Sequence, residues 1–322
     1  MNRVRVAAAG LLLGISAGQL HAAEAPYPNR PIRFIVPFAP GGPSDILSRL
    51  VGIKLGESLN QTVVVDNRGA VGGLLGAELG AKAPPDGYSL LLSANSLLTI
   101  NPHVYKKLAY DPQRDLQPIT QLTSGGNVVV VHPSVQANTM KEFVDLAKSQ
   151  PGKINFATTG TNNLLAIENF SAKAKIKMTA IPYKGTGQAV IDLVGGQVQF
   201  FFMNPLVAVP NVKSGKLKAL AVTTLERNSA LPDVPTIHET VLPNFQSITW
   251  HSVLVPAGTP KPIVQRLNSE LVKIVNSPDV KDRFTQQGLT AVGSSPEELR
   301  ALIKTESAEY AKVVKEIGLQ PQ

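Results

Sequence analysis

The sequence has no cysteine in its 322 residues. That absence removes disulfides, thiolate metal sites, cysteine nucleophiles and lipid-anchored export together. A chain this long can still hold itself together by core burial alone. Aromatic residues make up only 5% of it, and no window gathers the five or more Lys/Arg of a nucleic-acid-binding arm. No apolar run reaches the ~20 residues needed to span a bilayer. The five histidines (His21, His103, His132, His238 and His251) form neither H-x-x-x-H nor H-E-x-x-H, so a helical zinc site has no support. There is no G-x-S-x-G elbow and no Walker-type loop. The stretch Gly69–Gly76 opens a helix but lacks G-x-G-x-x-G spacing, because Val71 stands where the first glycine should be.

The amino terminus carries a clear signal. Arg3 and Arg5 precede an apolar stretch from Val6 to Ile15, and small residues follow at Ala22-Ala23-Glu24-Ala25. This is the pattern of a secretory signal peptide, cleaved near Ala22–Ala25. Its removal lowers the net charge from +8 to about +6. The mild positive excess is scattered. It would draw in an anionic solute, and it equally suits a plain solvated surface.

The mature chain alternates β-branched runs with helical patterns. Strands are predicted at Ile32–Pro37, Thr62–Val65 and Tyr88–Leu92, with helices at Ser44–Ser58 and Gly72–Ala83 between them. Such a βαβαβ rhythm implies a parallel, doubly wound sheet. Asn101–Gln121, with Pro102, Pro112 and Pro118, reads as an irregular crossing segment. A second α/β series runs from Asn127 to Thr223, and a strand at Thr249–Val255 plus long helices, among them Pro296–Ile317, close the chain. The second unit therefore looks inserted into the first. Residues 26–120 and 224–322 form one lobe, residues 121–223 the other, and the chain crosses twice. Two lobes on two crossing strands make a hinge and a cleft.

Four loops share one design, in which a strand ends, small residues turn and a helix begins. They are Val36–Asp45, Asp66–Gly73, Ala157–Asn163 and Tyr183–Gly187. Helix starts of this kind bind anions through free N–H groups and the positive end of the helix dipole. Glycine-rich turns also serve packing alone in any α/β fold, but four of them, two in each lobe, point to binding. Ser44 or Asp45 can cap the helix that follows or donate to a ligand. A serine nucleophile at Ser44 is the weaker interpretation.

The residues then match a known family. Tyr27-Pro28-Asn29-Arg30-Pro31-Ile32-Arg33, leading into Val36-Pro37-Phe38-Ala39-Pro40-Gly41-Gly42-Pro43-Ser44-Asp45, resembles the opening of the tripartite tricarboxylate transporter substrate-binding proteins, the Bug-type receptors. Asn67–Gly73, Pro85–Leu90, Pro182–Gly187, Gly195–Val198, Leu231–Thr236 and Pro256–Pro260 continue the match in order. The resemblance implies a two-lobed periplasmic binding protein fold of type II, each lobe a mostly parallel sheet flanked by helices. It implies one ligand carboxylate held between the lobes by backbone amides, hydroxyls and water. Carried over by position, the contributors are Gly41, Gly42, Ser44, Asp45, Asn67, Ala70 and Gly72, with Ser93 and Asn95 in the segment Ser93–Ser96. From the second lobe come Thr158, Gly160, Thr161, Asn163, Tyr183, Gly185 and Thr186.

Two departures stand out. Asn162-Asn163-Leu164-Leu165 replaces the family's Gly-Ser pair and following His. Met203 occupies a position where the family commonly has Asp, so an amino-bearing ligand loses a partner. Met203 and Asn204, at a strand end, are therefore added as ligand candidates, whereas Phe200–Phe202 read mainly as buried strand. The expectation is a monomeric periplasmic receptor, without cofactor, metal or catalytic activity. It passes a small carboxylate to membrane transporter subunits and does not bind nucleic acid. A ligand-sensing subunit of a signalling system and a secreted hydrolase are the rivals.

Overall fold

The computed structural model describes residues 27–319. The predicted signal peptide, residues 1–25, lies outside the described residues.

The first lobe grows from βαβ units. Strand β1 (Ile32–Val36) leads to helix α1 (Pro43–Leu59), and β2 (Val63–Asn67) leads through a 3-10 turn to α2 (Leu74–Ala81). β3 (Ser89–Ala94) leads to the short helices α3 (Ser96–Thr99) and α4 (Asn101–Val104). β1 pairs in parallel with both β2 and β3. A strand covered on both faces must be apolar on both, and Phe34, Ile35, Leu90, Leu91 and Leu92 are accordingly buried. α1 lays Leu47, Val51 and Leu55, spaced by four, onto that sheet.

The interpretation of Asn101–Gln121 as an irregular crossing needs correction. Its start is α4, and its end belongs to an 11-residue strand, β4 (Leu116–Gly126), inside the first sheet. Pro118 hid it. That residue lies opposite Leu254 where the ladder shifts register, one of the few places a strand tolerates proline. The chain therefore leaves the first sheet at Gly126, beyond the boundary predicted near 120.

The second lobe contains β5 (Val128–Val131), α5 (Met140–Ser149), β6 (Asn155–Thr158), α6 (Thr161–Ala174), β7 (Thr179–Pro182), α7 (Thr186–Val194), β8 (Phe200–Met203), α8 (Pro205–Lys213) and β9 (Lys218–Val222). After β9 the chain does not cross at once. Val222 N–H donates to Pro235 O, and α9 (Ile237–Thr240) follows. Leu231, Ile237 and Phe245 bury their side chains in the clusters of the second lobe. The return begins only with β10 (Ile248–Pro256), followed by α10 (Lys261–Asn276), α11 (Pro278–Gln286), β11 (Thr290–Ala291) and α12 (Pro296–Glu316).

The strand orders are β11-β4-β10-β3-β1-β2 and β7-β6-β8-β5-β9. In each sheet, the first strand after a crossing is antiparallel to its neighbours: β5 to β8 and β9, and β10 to β3 and β4. The geometry explains this. A strand that arrives from the other lobe must run away from the cleft, so β1–β3 and β6–β8 run towards it. Every helix start that follows those six strands therefore faces the other lobe. Ligands of open α/β sheets bind at these carboxyl ends.

The crossings are tied together. Asn127 N–H donates to Thr223 Oγ1 at 2.8 Å, Thr223 Oγ1 donates to Ser247 O at 2.6 Å, and Thr223 N–H donates to Asn127 O at 2.9 Å. Beside them Trp250 Nε1 donates to the Glu306 carboxylate at 3.0 Å, and Thr99 Oγ1 donates to it at 2.9 Å. Burial raises the Glu306 pKa above its ordinary value, against these hydrogen bonds and one from Asn95. α12 thus braces the hinge strand from the first lobe.

Candidate functional site: the cavity between the lobes

Five helix starts meet in one cavity between the lobes. Gly42, Pro43 and Ser44 come from α1, Ser96 from α3, and Gly160, Asn162 and Asn163 from α6. Gly185 and Thr186 come from α7, and Asn204 from α8. The lobes touch here. A Cβ on Gly42 would stand 3.6 Å from Thr186 Oγ1, and one on Gly185 would stand 2.8 Å from Ala39 Cβ. Gly185 is extended, so backbone freedom does not explain the glycine; the close approach of the opposite lobe does.

The caps of these helices are informative. Gly42, Gly160 and Gly185 are the N-cap residues of α1, α6 and α7, and none of the three starts has a side-chain cap. The first-turn N–H groups of a helix have no partner within it. Here the three starts line the cavity and no side chain caps their N–H groups, although Pro43 supplies none to α1. The expectation that Ser44 or Asp45 caps α1 is corrected, because Pro43 already opens the helix and both residues lie inside its first turn. Asp45 instead reaches back, accepting from Gly41 N–H at 3.0 Å and pairing with Arg49 at 2.9 Å. Burial raises its pKa, but hydrogen bonds from Arg49, Gly41 and Asn67 outweigh that and hold it below the ordinary value.

Among the described residues, no Asp, Glu, Lys or Arg lines the cavity. Its walls are Phe38 and Phe201, and its polar groups are neutral. Thr249 Oγ1, on β10, accepts from Asn162 Nδ2 at 2.6 Å and from Asn127 Nδ2 at 3.4 Å. His251, two residues further along β10, is 3% exposed. Burial depresses its pKa to about 4, so the ring is neutral at physiological pH. Among the described residues no three His, Asp or Glu side chains gather as a metal site.

The predicted residues divide into three groups. Gly42, Ser44, Gly160, Asn163, Gly185, Thr186 and Asn204 line the cavity, with Ala94 and Ser96 of the Ser93–Ser96 segment. A second group builds the loops behind it. Asn67 Nδ2 donates to Phe38 O at 3.1 Å, Ser93 Oγ bonds to Ala94 O, and Asn95 Nδ2 donates to Ile248 O. Gly41 and Asp45 bond to each other, Ala70 O accepts from Gly73 N–H, and Gly72 O accepts from Asn101 Nδ2. The third group lies in an adjoining apolar pocket lined by Gly72, Thr158, Thr161 and Tyr183 with Val104, Tyr105 and Leu319. There Thr161 Oγ1 donates to Asn101 Oδ1 across the lobes at 2.6 Å, and Tyr183 Oη donates to Asp192 at 2.8 Å.

Met203 is placed otherwise than expected. It is fully buried in the cluster that holds Val128, Val207 and Ala208 and does not line the cavity, whereas Phe201, in the same cluster, does. Phe38, Asn127, Thr159, Phe201, Thr249 and His251 were not singled out. Of these, Phe38 and Thr159 lay in loop motifs. The β10 pair has no local signal, because it reaches the cavity through a strand inserted from far along the chain.

A cleft between two α/β lobes, with helix starts from both sides converging on it, defines a two-lobed solute-binding protein. Comparison gives the family. Residues 47–319 match the tripartite tricarboxylate transporter family receptor. Protein BugT of Bordetella pertussis is 35% identical over 97% of this chain and 95% of its own length. The structure of periplasmic binding protein BugD superposes with a TM-score of 0.89 at 34% identity, covering 92% of this chain and all of that one. Rpa4515 of R. palustris with adipate gives 0.89 at 30%, covering 92% and 100%. MatC of Rhodopseudomonas palustris with bound malate gives 0.86 at 31%, covering 89% and 100%. The chain belongs to the tripartite tricarboxylate transporter receptor family, a family of periplasmic binding proteins.

Proposed function

We propose that this protein is exported by its amino-terminal segment, captures a small carboxylate between its lobes as a monomer, and hands it to a tripartite tricarboxylate-type transporter in the membrane. One observation carries the reading. Three helices of 17, 14 and 9 residues bring starts without side-chain caps to one cavity that holds no charged side chain. A single exposed helix end is worth only ~0.3–1 kcal/mol to an anion, rising to ~2 when partly buried. Convergence of three, with Ser44, Thr186 and Asn163 beside them, suits one carboxylate. The relatives with malate and adipate support the same ligand class.

The mechanism is closure. A carboxylate that accepts N–H groups of α1 from one lobe and of α6 and α7 from the other is complete only when the lobes meet. Binding therefore favours the closed arrangement, and apparent affinity falls with the fraction of protein that is open. Nothing in this sequence of events needs a nucleophile, and the protein acts as a receptor, not an enzyme.

Thermal denaturation against a panel of small acids, sugars and peptides tests this. A true ligand at 100 times its Kd adds about 2.7 kcal/mol of stability. The expected result is a raised Tm with at least one acid, and that acid recovered unchanged. Stabilisation by sugars or peptides alone, or turnover of the acid, would refute the reading.

A further inference from the structure

Thr249 stands where the crossings meet the ligand cavity. It lies two residues before His251, on the same face of β10, and both line the cavity. Its hydroxyl oxygen accepts from two amides, Asn162 Nδ2 of α6 at 2.6 Å and Asn127 Nδ2 of the first crossing at 3.4 Å. A hydroxyl carries two lone pairs and one proton, and an amide NH2 group can only donate. Both lone pairs of Thr249 are therefore used, while among the described residues no acceptor takes its proton. A donor on a residue 8% exposed is costly to leave unmet. The Asn162 bond joins a helix of the second lobe to a strand of the first sheet, so the proton is aimed this way only while the lobes are together.

We propose that Thr249 donates a hydrogen bond to a second oxygen of the ligand, beyond the carboxylate held by the helix starts, with Asn162 and Asn127 as the positioning residues that aim its proton. The proposal rests on the carboxylate reading above and deepens it by naming the ligand class: acids that carry a hydroxyl or a further carboxylate. Either group supplies the acceptor that the Thr249 proton lacks. An acid that ends in a hydrocarbon leaves that proton unmet, and an ammonium group, which has no lone pair, does the same. The arrangement also ties recognition to closure. Opening the lobes separates Asn162 from Thr249, and the hydroxyl then turns freely, so the ligand's second oxygen finds an oriented donor only in the closed form.

Calorimetric titration of the full mature chain with two probe sets tests it: butyrate, 4-hydroxybutyrate and succinate; hexanoate, 6-hydroxyhexanoate and adipate. In the set that fits the cavity, the hydroxy acid and the diacid should each bind about tenfold more tightly than the unsubstituted acid. Thr249→Val keeps the branched shape and removes the proton, and both ratios should fall to about twofold or less. Thr249→Ser keeps the hydroxyl and should retain them. Asn162→Asp leaves Thr249 whole but gives its proton a carboxylate to bond. The ratio of hydroxy acid to unsubstituted acid, two ligands of equal charge, should then fall to about twofold as well. Asp suits the first turn of a helix, so this variant serves where Thr249→Val does not fold. A merely structural role for Thr249 would weaken all probes alike and leave the ratios unmoved. Equal binding within each wild-type set, or an unchanged ratio in either folded variant, overturns the proposal while leaving carboxylate capture intact. If no acid of either set binds, both readings fail together.

Discussion

Two sets of helix starts in this protein differ, although α10 and α11, away from the cavity, also begin without a side-chain cap. Away from the cavity, α5, α9 and α12 start at Thr139, Thr236 and Ser295, whose side chains accept first-turn N–H groups, and the last two complete capping boxes with Glu239 and Glu298. At the cavity, α1, α6 and α7 start at glycine with no side-chain cap. The exception is α8, where Asn204 caps and keeps its amide free. Glycine at an N-cap costs only a few tenths of a kcal/mol against Ser or Asp. Leaving these starts open therefore sacrifices little stability while reserving the N–H groups for a ligand. Carboxylates support these three outer starts, whereas the groups lining the cavity are neutral, and Asp45 in the first turn of α1 turns back to Gly41 and Arg49.

The largest expected effect sharpens the charge side of this contrast. His251 titrates at about 4 in the folded protein and near ~6.5 unfolded. Between those values the unfolded chain binds more protons, so the stability contribution is complete above pH ~6.5 and is lost as pH falls towards 4. The loss reaches about 3 kcal/mol at the acid end. Glu306, raised by burial, acts in the opposite sense, because its folded form holds a proton at pH values where the unfolded chain has released it. Denaturant titrations of wild type and His251→Asn across pH 4–7 isolate the histidine, and the variant should show the shallower acid limb.

Converting an inner start into an outer one should break the contrast. Gly160 is extended, and a Cβ there would meet nothing nearer than Phe38 at 3.9 Å. Gly160→Asp should therefore fold and gain a few tenths of a kcal/mol, roughly, from its new cap. Its carboxylate would occupy the α6 N–H groups and repel an anion, lowering carboxylate affinity by about 100-fold in calorimetry. A smaller effect comes from contact alone. Gly185→Ala would press on Ala39 only when the lobes meet, weakening binding by about tenfold with little change in Tm measured without ligand. Smallest is the outer control. Ser295→Ala should cost about 1 kcal/mol of stability and leave affinity untouched.

Much of this was legible locally. Strand β1, the glycine loop after it and the repeated strand-to-helix rhythm are written in residues a few positions apart, and α1 announces itself by Leu47, Val51 and Leu55. What escaped depends on distant chain. β4 was masked by Pro118, which survives only because Leu254, from β10, faces it at an irregularity in the ladder. Leu231–Phe245 fell within the stretch 224–322 expected in the first lobe, yet it packs on the second because β9 offers Val222 as a partner for Pro235. Met203 shows a finer limit. Alternation puts Phe201 and Met203 on one face of β8 and both join the cluster of Val207 and Ala208, but of the two only Phe201 lines the cavity. His251 and Thr249 show the same limit, since nothing near them in sequence marks them as cavity residues.

The central claim is that open helix starts, rather than charged side chains, hold the ligand anion. Backbone amide NMR of the 15N-labelled mature chain, titrated with the acid that most raises Tm, tests it most directly. The account predicts large downfield shifts for the first-turn amides of α1, α6 and α7, such as Ser44, Thr161 and Thr186, with the amides of Glu142 and Glu298 at the outer starts unmoved. Saturable binding that leaves the inner amides where they were would contradict it.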